Sequence, residues 1–199
     1  TLLYSLSSIM LCLLFKWPHF NQIAKKYYLL IIVLFVVYEL CFSFSVALAT
    51  TARQTIEVGV INHLWPTFTI LMMLFFSYMR FSFKLIFGLL LSALGVIVIQ
   101  TNGFNLAWSS VADNLLTNRL SYTLALMAAI IWAFYCIVLM KYKPDHNLIV
   151  VLFLLTSLTL WIKWLFFSSA SLTSLDNTTI VLLLCASACL SLGYAAWNI

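Results

Sequence analysis

Charged residues are scarce in this sequence. Lys, Arg, Asp and Glu together make up 8% of its 199 residues, and hydrophobic residues make up 65%. A soluble globular domain carries about 25% charged residues. A chain this apolar could not cover its own surface in water, so its solvent is largely lipid. Catalytic signatures are missing as well. There is no HExxH, GxSxG or phosphate loop, and His19, His63 and His146 are scattered. A Glu39/His63 acid–base pair is conceivable, but no nucleophile or metal set completes it. No enzyme, cofactor or metal site is therefore expected. The five cysteines, Cys12, Cys41, Cys136, Cys185 and Cys189, all fall in apolar runs without the paired spacing of a zinc or redox motif. Strand alternation, low-complexity tracts and any stretch resembling a soluble domain are absent. The start has neither the basic residues nor the small-residue cleavage site of a signal peptide.

What is present is a series of apolar runs. A helix needs roughly 20 apolar residues to cross a bilayer. Full spans are expected near Tyr27–Ala49, Val58–Met79, Leu120–Met140, Leu148–Phe167 and Thr179–Ile199, and a shorter one near Phe81–Ile99, interrupted by Lys84. Thr1–Phe15 is too short to cross alone. The chain opens on Thr inside that run and stops at Ile199 in or near the end of another, which suggests clipped ends. Helices satisfy their own backbone polar groups in lipid, so the expected fold is an all-α polytopic transmembrane bundle.

The few charges are unevenly placed. Alternating the spans puts Lys16, Lys25, Lys26, Arg80, Lys84, Lys141 and Lys143 on one side. The other side receives Arg53 and Arg119, with Glu57, Asp113 and Asp176. This bias marks the first side as cytoplasmic. It also accounts for the net charge of +5 without a nucleic-acid partner. The longest loop, about Gln100–Arg119, holds Asn102, Gly103, Asn105, Asp113 and Asn118 and reads as an external connector. It divides two halves in which Tyr38 and Tyr194 occupy comparable deep positions, on helices that would cross in opposite directions. Opposed repeats are a recurring transporter architecture with midplane substrate sites.

Some residues are costly in lipid. Glu39 lies near the middle of its span, where a charge costs roughly 2.5–3.5 kcal/mol on insertion scales. It faces a cavity or proton path, or else is a protonated acid bonded to a neighbouring helix. A second cluster runs Gly59, Asn62, His63, Trp65, Pro66, Thr67, Thr69. Pro66 has no N–H, so the Asn62 carbonyl loses its helical partner and the helix bends. Irregular backbone at membrane depth is tolerated where it is buried in protein or lines a cavity. An ordinary packing kink would show the same pattern. Trp132 stands among Ala125, Ala128, Ala129 and Ala133, where it either fills a groove or lines a pocket. Gly88, Ser92 and Gly95 form another small face, suited to helix packing or to a homodimer contact. Lys163 reads as a snorkelling residue beside an aromatic belt of Trp161 and Trp164.

The block Thr51-Ala52-Arg53-Gln54-Thr55-Ile56-Glu57-Val58-Gly59-Val60-Ile61-Asn62-His63-Leu64-Trp65-Pro66 resembles the segment entering the fourth helix of EamA-type transporters, in the drug/metabolite transporter superfamily. Tyr38-Glu39 with Ala47-Leu48-Ala49, Ile131 to Cys136, and Gly193 to Asn198 agree, and the nearest likeness is to the YddG-type aromatic amino-acid exporters. The resemblance implies ten helices in two inverted halves of five. This chain would be a fragment of about seven spans: 1–100 as a first half lacking its first helix, 101–119 as the connector, and 120–199 as a second half lacking its last two helices. It implies a central cavity, with Tyr38, Glu39, Trp65 and Trp132 at matching positions. With Asn62 and Pro66 from the residue-level reading, these form the candidate substrate site. The resemblance also implies that His commonly stands at the position matching Glu39. The expected function is export of amino acids, aromatic or otherwise apolar, across a bacterial inner membrane by alternating access. The rivals are export of another metabolite or drug on the same fold, and a non-transporting membrane scaffold.

Overall fold

The computed structural model describes residues 2–20, 24–100, 108–144, 148–167 and 176–198. Asn102, Gly103 and Asn105 of the expected connector, and His146, lie outside the described residues. The described residues form helices and no strand. In chain order these are α1 (Leu2–Leu14), α2 (Lys25–Leu48), α3 (Ala52–Asn62), α4 (Trp65–Phe75), α5 (Phe83–Gln100), α6 (Trp108–Thr117), α7 (Arg119–Tyr142), α8 (Leu148–Phe167) and α9 (Asn177–Asn198). Five stretches are long and apolar enough to cross a membrane: Lys25–Leu48, Ala52–Phe75, Arg119–Tyr142, Leu148–Phe166 and Asn177–Tyr194. Each overlaps one of the five full spans expected from hydropathy. The two runs judged short, now α1 and α5, are again the shorter apolar helices.

The second span departs from expectation at both ends, and in its middle it breaks where the Asn62–Pro66 segment was expected to bend it. It starts at Ala52 rather than Val58, because Thr51 caps the helix by accepting the Gln54 N–H (3.1 Å). Arg53 and Glu57 therefore ride on a helix instead of a loop. It ends at Phe75 rather than Met79, because Ser77 adopts a left-handed φ of 59°. The Ser77 and Tyr78 N–H groups then return to the Leu74 and Met73 carbonyls, closing a Schellman turn. Its break is a two-residue turn at His63–Leu64, with Pro66 in the first turn of α4. There the missing N–H has no helical acceptor to lose. The expected connector also contains a helix, α6.

The chain divides into two compact units, Thr1–Val36 with Tyr142–Ile199, and Val37–Lys141. In the first, α1 packs on α8 and α9. Serines allow that approach. The Ser5 and Ser157 hydroxyls lie 2.9 Å apart, Ser7 donates to the Ser187 carbonyl, and Ser191 donates to the Ser7 carbonyl (3.3 Å each). The Trp161 indole N–H donates to Ser5 Oγ at 2.8 Å, so Trp161 joins two helices rather than serving only in a belt. Phe35, Phe153 and Tyr194 form an aromatic core, with centroids 5.0–5.8 Å apart.

In the second unit, Ala125, Ala128, Ala129 and Ala133 are fully buried on α7. Close backbone approach there lets Ser45 and Ser121 exchange hydrogen bonds with each other's carbonyl (2.8 and 2.7 Å). α3 packs on α5. On α5, Ser92 reaches the Thr67 hydroxyl at 3.3 Å, but a Cβ added at Gly88 or Gly95 would meet nothing within 4 Å.

Candidate functional site

Within the Val37–Lys141 unit, three separate spans deliver aromatic and polar side chains to one place. α2 supplies Tyr38 and Glu39, both buried, with the carboxyl side chain 1% exposed. The end of α3 supplies Asn62 and the start of α4 supplies Trp65, on either side of the two-residue break. α7 supplies Trp132 and Tyr135 from its alanine-rich face.

The rings touch. Tyr38 lies 4.5 Å from Trp132 between centroids, Trp65 meets Trp132 edge to face at 6.2 Å, and Trp132 stacks on Tyr135 at 4.7 Å. Aromatic pairs in such geometries add about 0.5–1.5 kcal/mol each beyond area burial. Phe42 continues the row, parallel to Tyr38 at 6.4 Å.

Asn62 binds this cluster to the helix break. Its Nδ2 donates to the Tyr38 hydroxyl at 3.4 Å, a long bond. Its Oδ1 is buried and has no hydrogen-bond partner among the described residues. Leaving a buried acceptor unsatisfied costs about 1–3 kcal/mol. The break leaves other polar groups accounted for. His63 Nδ1 lies 2.7 Å from the Gly59 carbonyl with its ring exposed, and the Thr69 hydroxyl donates to the Trp65 carbonyl at 2.7 Å. Glu39 follows Tyr38 on α2, within electrostatic reach of Tyr135.

Of the expected residues, Tyr38, Asn62, Trp65 and Trp132 are thus linked by direct contacts. Glu39 is buried beside them in sequence, and Pro66 shapes the helix start that carries Trp65. Tyr135 joins them through its stack on Trp132; its spacing of three from Trp132 on a helix was the available signal.

A second polar centre went unforeseen. Glu57 is 3% exposed. Its carboxylate receives Arg53 Nε at 2.7 Å, Asn114 Nδ2 at 3.3 and 3.2 Å to its two oxygens, and the Tyr122 hydroxyl. Three helices, α3, α6 and α7, meet on this one anion. Nearby, Asn118 donates to Gln54 Oε1 (3.1 Å) and to the Leu48 carbonyl (2.6 Å). The i, i+4 spacing of Arg53 and Glu57 was visible in the sequence; the Asn and Tyr donors were not.

Comparison with known proteins locates the chain. It is 37% identical over 197 residues to the aromatic amino acid exporter YddG of Escherichia coli (strain K12), covering 99% of this chain and 67% of that protein. It is 35% identical over 198 residues to the aromatic amino acid exporter YddG of Salmonella typhimurium (strain 14028s / SGSC 2262), covering 100% of this chain and again 67% of the relative. No protein-family profile and no solved structure matches it. Identity at this level, over nearly the whole chain and together with helices long and apolar enough to cross a membrane, means that the chain belongs to the YddG family of multi-pass inner-membrane exporters.

Proposed function

We propose that this protein exports amino acids, aromatic or other apolar ones, across the inner membrane. We further propose that Tyr38, Glu39, Asn62, Trp65, Pro66 and Trp132 form its substrate site. The observation that carries the reading is that Tyr38, Trp65 and Trp132 meet ring to ring beside a helix break, with Asn62 bonded to the Tyr38 hydroxyl and its Oδ1 buried without a hydrogen-bond partner among the described residues. A zwitterion with an apolar side chain needs flat apolar walls for the side chain and polar groups for its two charges. The three rings supply the walls. Asn62 offers an acceptor, and Glu39, when ionised, a counter-charge for the ammonium group. The names of the two relatives, both aromatic amino acid exporters, point to the same class of cargo.

The mechanism that fits is alternating access, in which one repeat or bundle moves against another around a midplane site. The halves would be 1–100 and 120–199, joined by 101–119. The comparable placing of Tyr38 and Tyr194, each packed against aromatic rings in its own unit, supports an inverted pairing of these halves. No enzymatic step is part of this reading.

The test is efflux from cells loaded with a panel of labelled amino acids. Phenylalanine, tyrosine and tryptophan are expected to leave faster than polar amino acids. Trp65→Ala should cut their efflux about tenfold at unchanged membrane level. Normal efflux at normal protein level would remove Trp65 from the site. Equal efflux of all substrates would point to another metabolite as the cargo.

A further inference from the structure

An apolar cavity of about 330 Å³ opens between α3, α6 and α7 inside the Val37–Lys141 unit. It is separate from the aromatic site in its chemistry. Its walls are Ile61 and Leu64, Leu115 of α6, and Tyr122 and Leu126 of α7, with Arg119 at one end. The span Arg119–Tyr142 has 24 residues, about 36 Å of helix at 1.5 Å per residue. The hydrocarbon core is about 30 Å thick, so Arg119, the first residue of α7, falls at headgroup level. From there Arg119, Tyr122 and Leu126 follow one helix face inward over about 10 Å.

The charges around the cavity are already sorted. Glu57, the nearest buried anion by its bond to Tyr122, is taken up by Arg53, Asn114 and Tyr122. Arg119 is exposed, and its guanidinium makes no ion pair or hydrogen bond among the described residues. Among the described residues the lining thus holds one uncommitted cation, Arg119, and no carboxylate. That combination does not suit an amino acid, whose ammonium would find no counter-charge. It suits an amphiphile with an anionic head and a long apolar tail.

We infer that this cavity is a binding site for an anionic phospholipid, with the phosphate on Arg119 and one acyl chain along Ile61, Leu64 and Leu126. The tail exchanges lipid for an equally apolar wall, so it contributes shape and little free energy. The head supplies the selectivity, because Arg holds phosphate through paired charge-assisted hydrogen bonds.

Titration of the purified protein with phosphatidylglycerol and with phosphatidylcholine, read by native mass spectrometry and thermal unfolding, tests this. Phosphatidylglycerol should bind and raise the unfolding temperature, whereas phosphatidylcholine should do neither to the same extent. Arg119→Gln should weaken phosphatidylglycerol binding about tenfold, and Arg119→Lys should restore part of it. Leu126→Trp, which fills the cavity and leaves the cation, should also reduce binding. The inference is overturned if both lipids bind alike, or if Arg119→Gln binds phosphatidylglycerol as tightly as the parent. Displacement of bound phosphatidylglycerol by free phenylalanine would also overturn it, since the cavity would then be a substrate vestibule.

Discussion

In the unit made of Thr1–Val36 and Tyr142–Ile199, α1 is joined to α8 and α9 by hydroxyls and one indole: Ser5 with Ser157 and Trp161, and Ser7 with Ser187 and Ser191. In the unit Val37–Lys141, two carboxyl side chains, Glu39 and Glu57, are buried beside tyrosines, tryptophan and asparagine. A serine hydroxyl in a helix can fall back on its own backbone, as Ser187 and Ser191 do with the Leu184 and Ser187 carbonyls. It brings helices close at low cost. A carboxyl group has no such backbone fallback and must be met by side-chain donors, as Glu57 is by Arg53 of its own helix and by Asn114 and Tyr122 of two others. The first kind of contact suits a fixed scaffold, and the second places expensive groups where function can justify them.

The contrast can be broken most directly at Glu57. Glu57→Ala would strand the Asn114 and Tyr122 donors and the Arg53 charge, although Arg53 is itself 37% exposed and partly hydrated. A loss of about 2–3 kcal/mol is expected from unfolding of the solubilised protein. A loss no greater than that from Ser157→Ala would mean that the two units are held alike. Overpacking the serine seam comes next. Ser187→Leu forces a branched side chain into a fully buried position and should cost about 1–2 kcal/mol with Glu57 intact.

Glu39→Gln is expected to move stability by less than about 1 kcal/mol, since Gln keeps the volume and the hydrogen-bonding capacity. It should nonetheless change efflux or flatten its pH dependence. If flux and pH profile both match the parent, Glu39 is a structural polar residue and proton coupling through it is ruled out.

The smallest effect belongs to Asp176, at the water-exposed start of α9, where its Oδ1 accepts the Thr179 N–H at 3.1 Å. Hydrogen bonding from the Thr179 side chain and backbone holds this carboxyl below the ordinary Asp range. A depressed folded-state value stabilises the protein above the ordinary Asp range, and the benefit is lost as pH falls through that value. Thermal unfolding between neutral pH and about pH 3 should therefore show a small acid-side loss in the parent that Asp176→Asn lacks. Identical pH profiles would remove the cap from the account.

The spans were legible because length and apolarity are local properties, and lipid rewards them without reference to partners. The ends of the second span were not. They depended on the Thr51 cap and the left-handed Ser77 turn, which hydropathy does not register. α6 escaped notice because Trp108–Thr117 is short and mixed in polarity, and Asn114 acquires its role only once Glu57 is beside it. The candidate site was legible in part. Glu39 and the Asn62–Pro66 segment stand out by cost alone, because each is anomalous in lipid whatever surrounds it. Trp132 does not, since one aromatic among alanines is equally at home as filler.

Residue by residue, the chain is already recognisable as a helical membrane protein, with most of its helices placed and its few expensive residues marked. Those facts follow from the solvent, which acts on each residue separately. Only in the folded chain do Tyr38, Asn62, Trp65 and Trp132 share one place, does Glu57 gather donors from three helices, and does Arg119 line a cavity with no ion pair or hydrogen bond to its guanidinium among the described residues. Each of these is a relation between segments far apart in the chain. Small-residue faces such as that of α7 make such relations possible, but the partner that fills them is set by packing and not by any local signal.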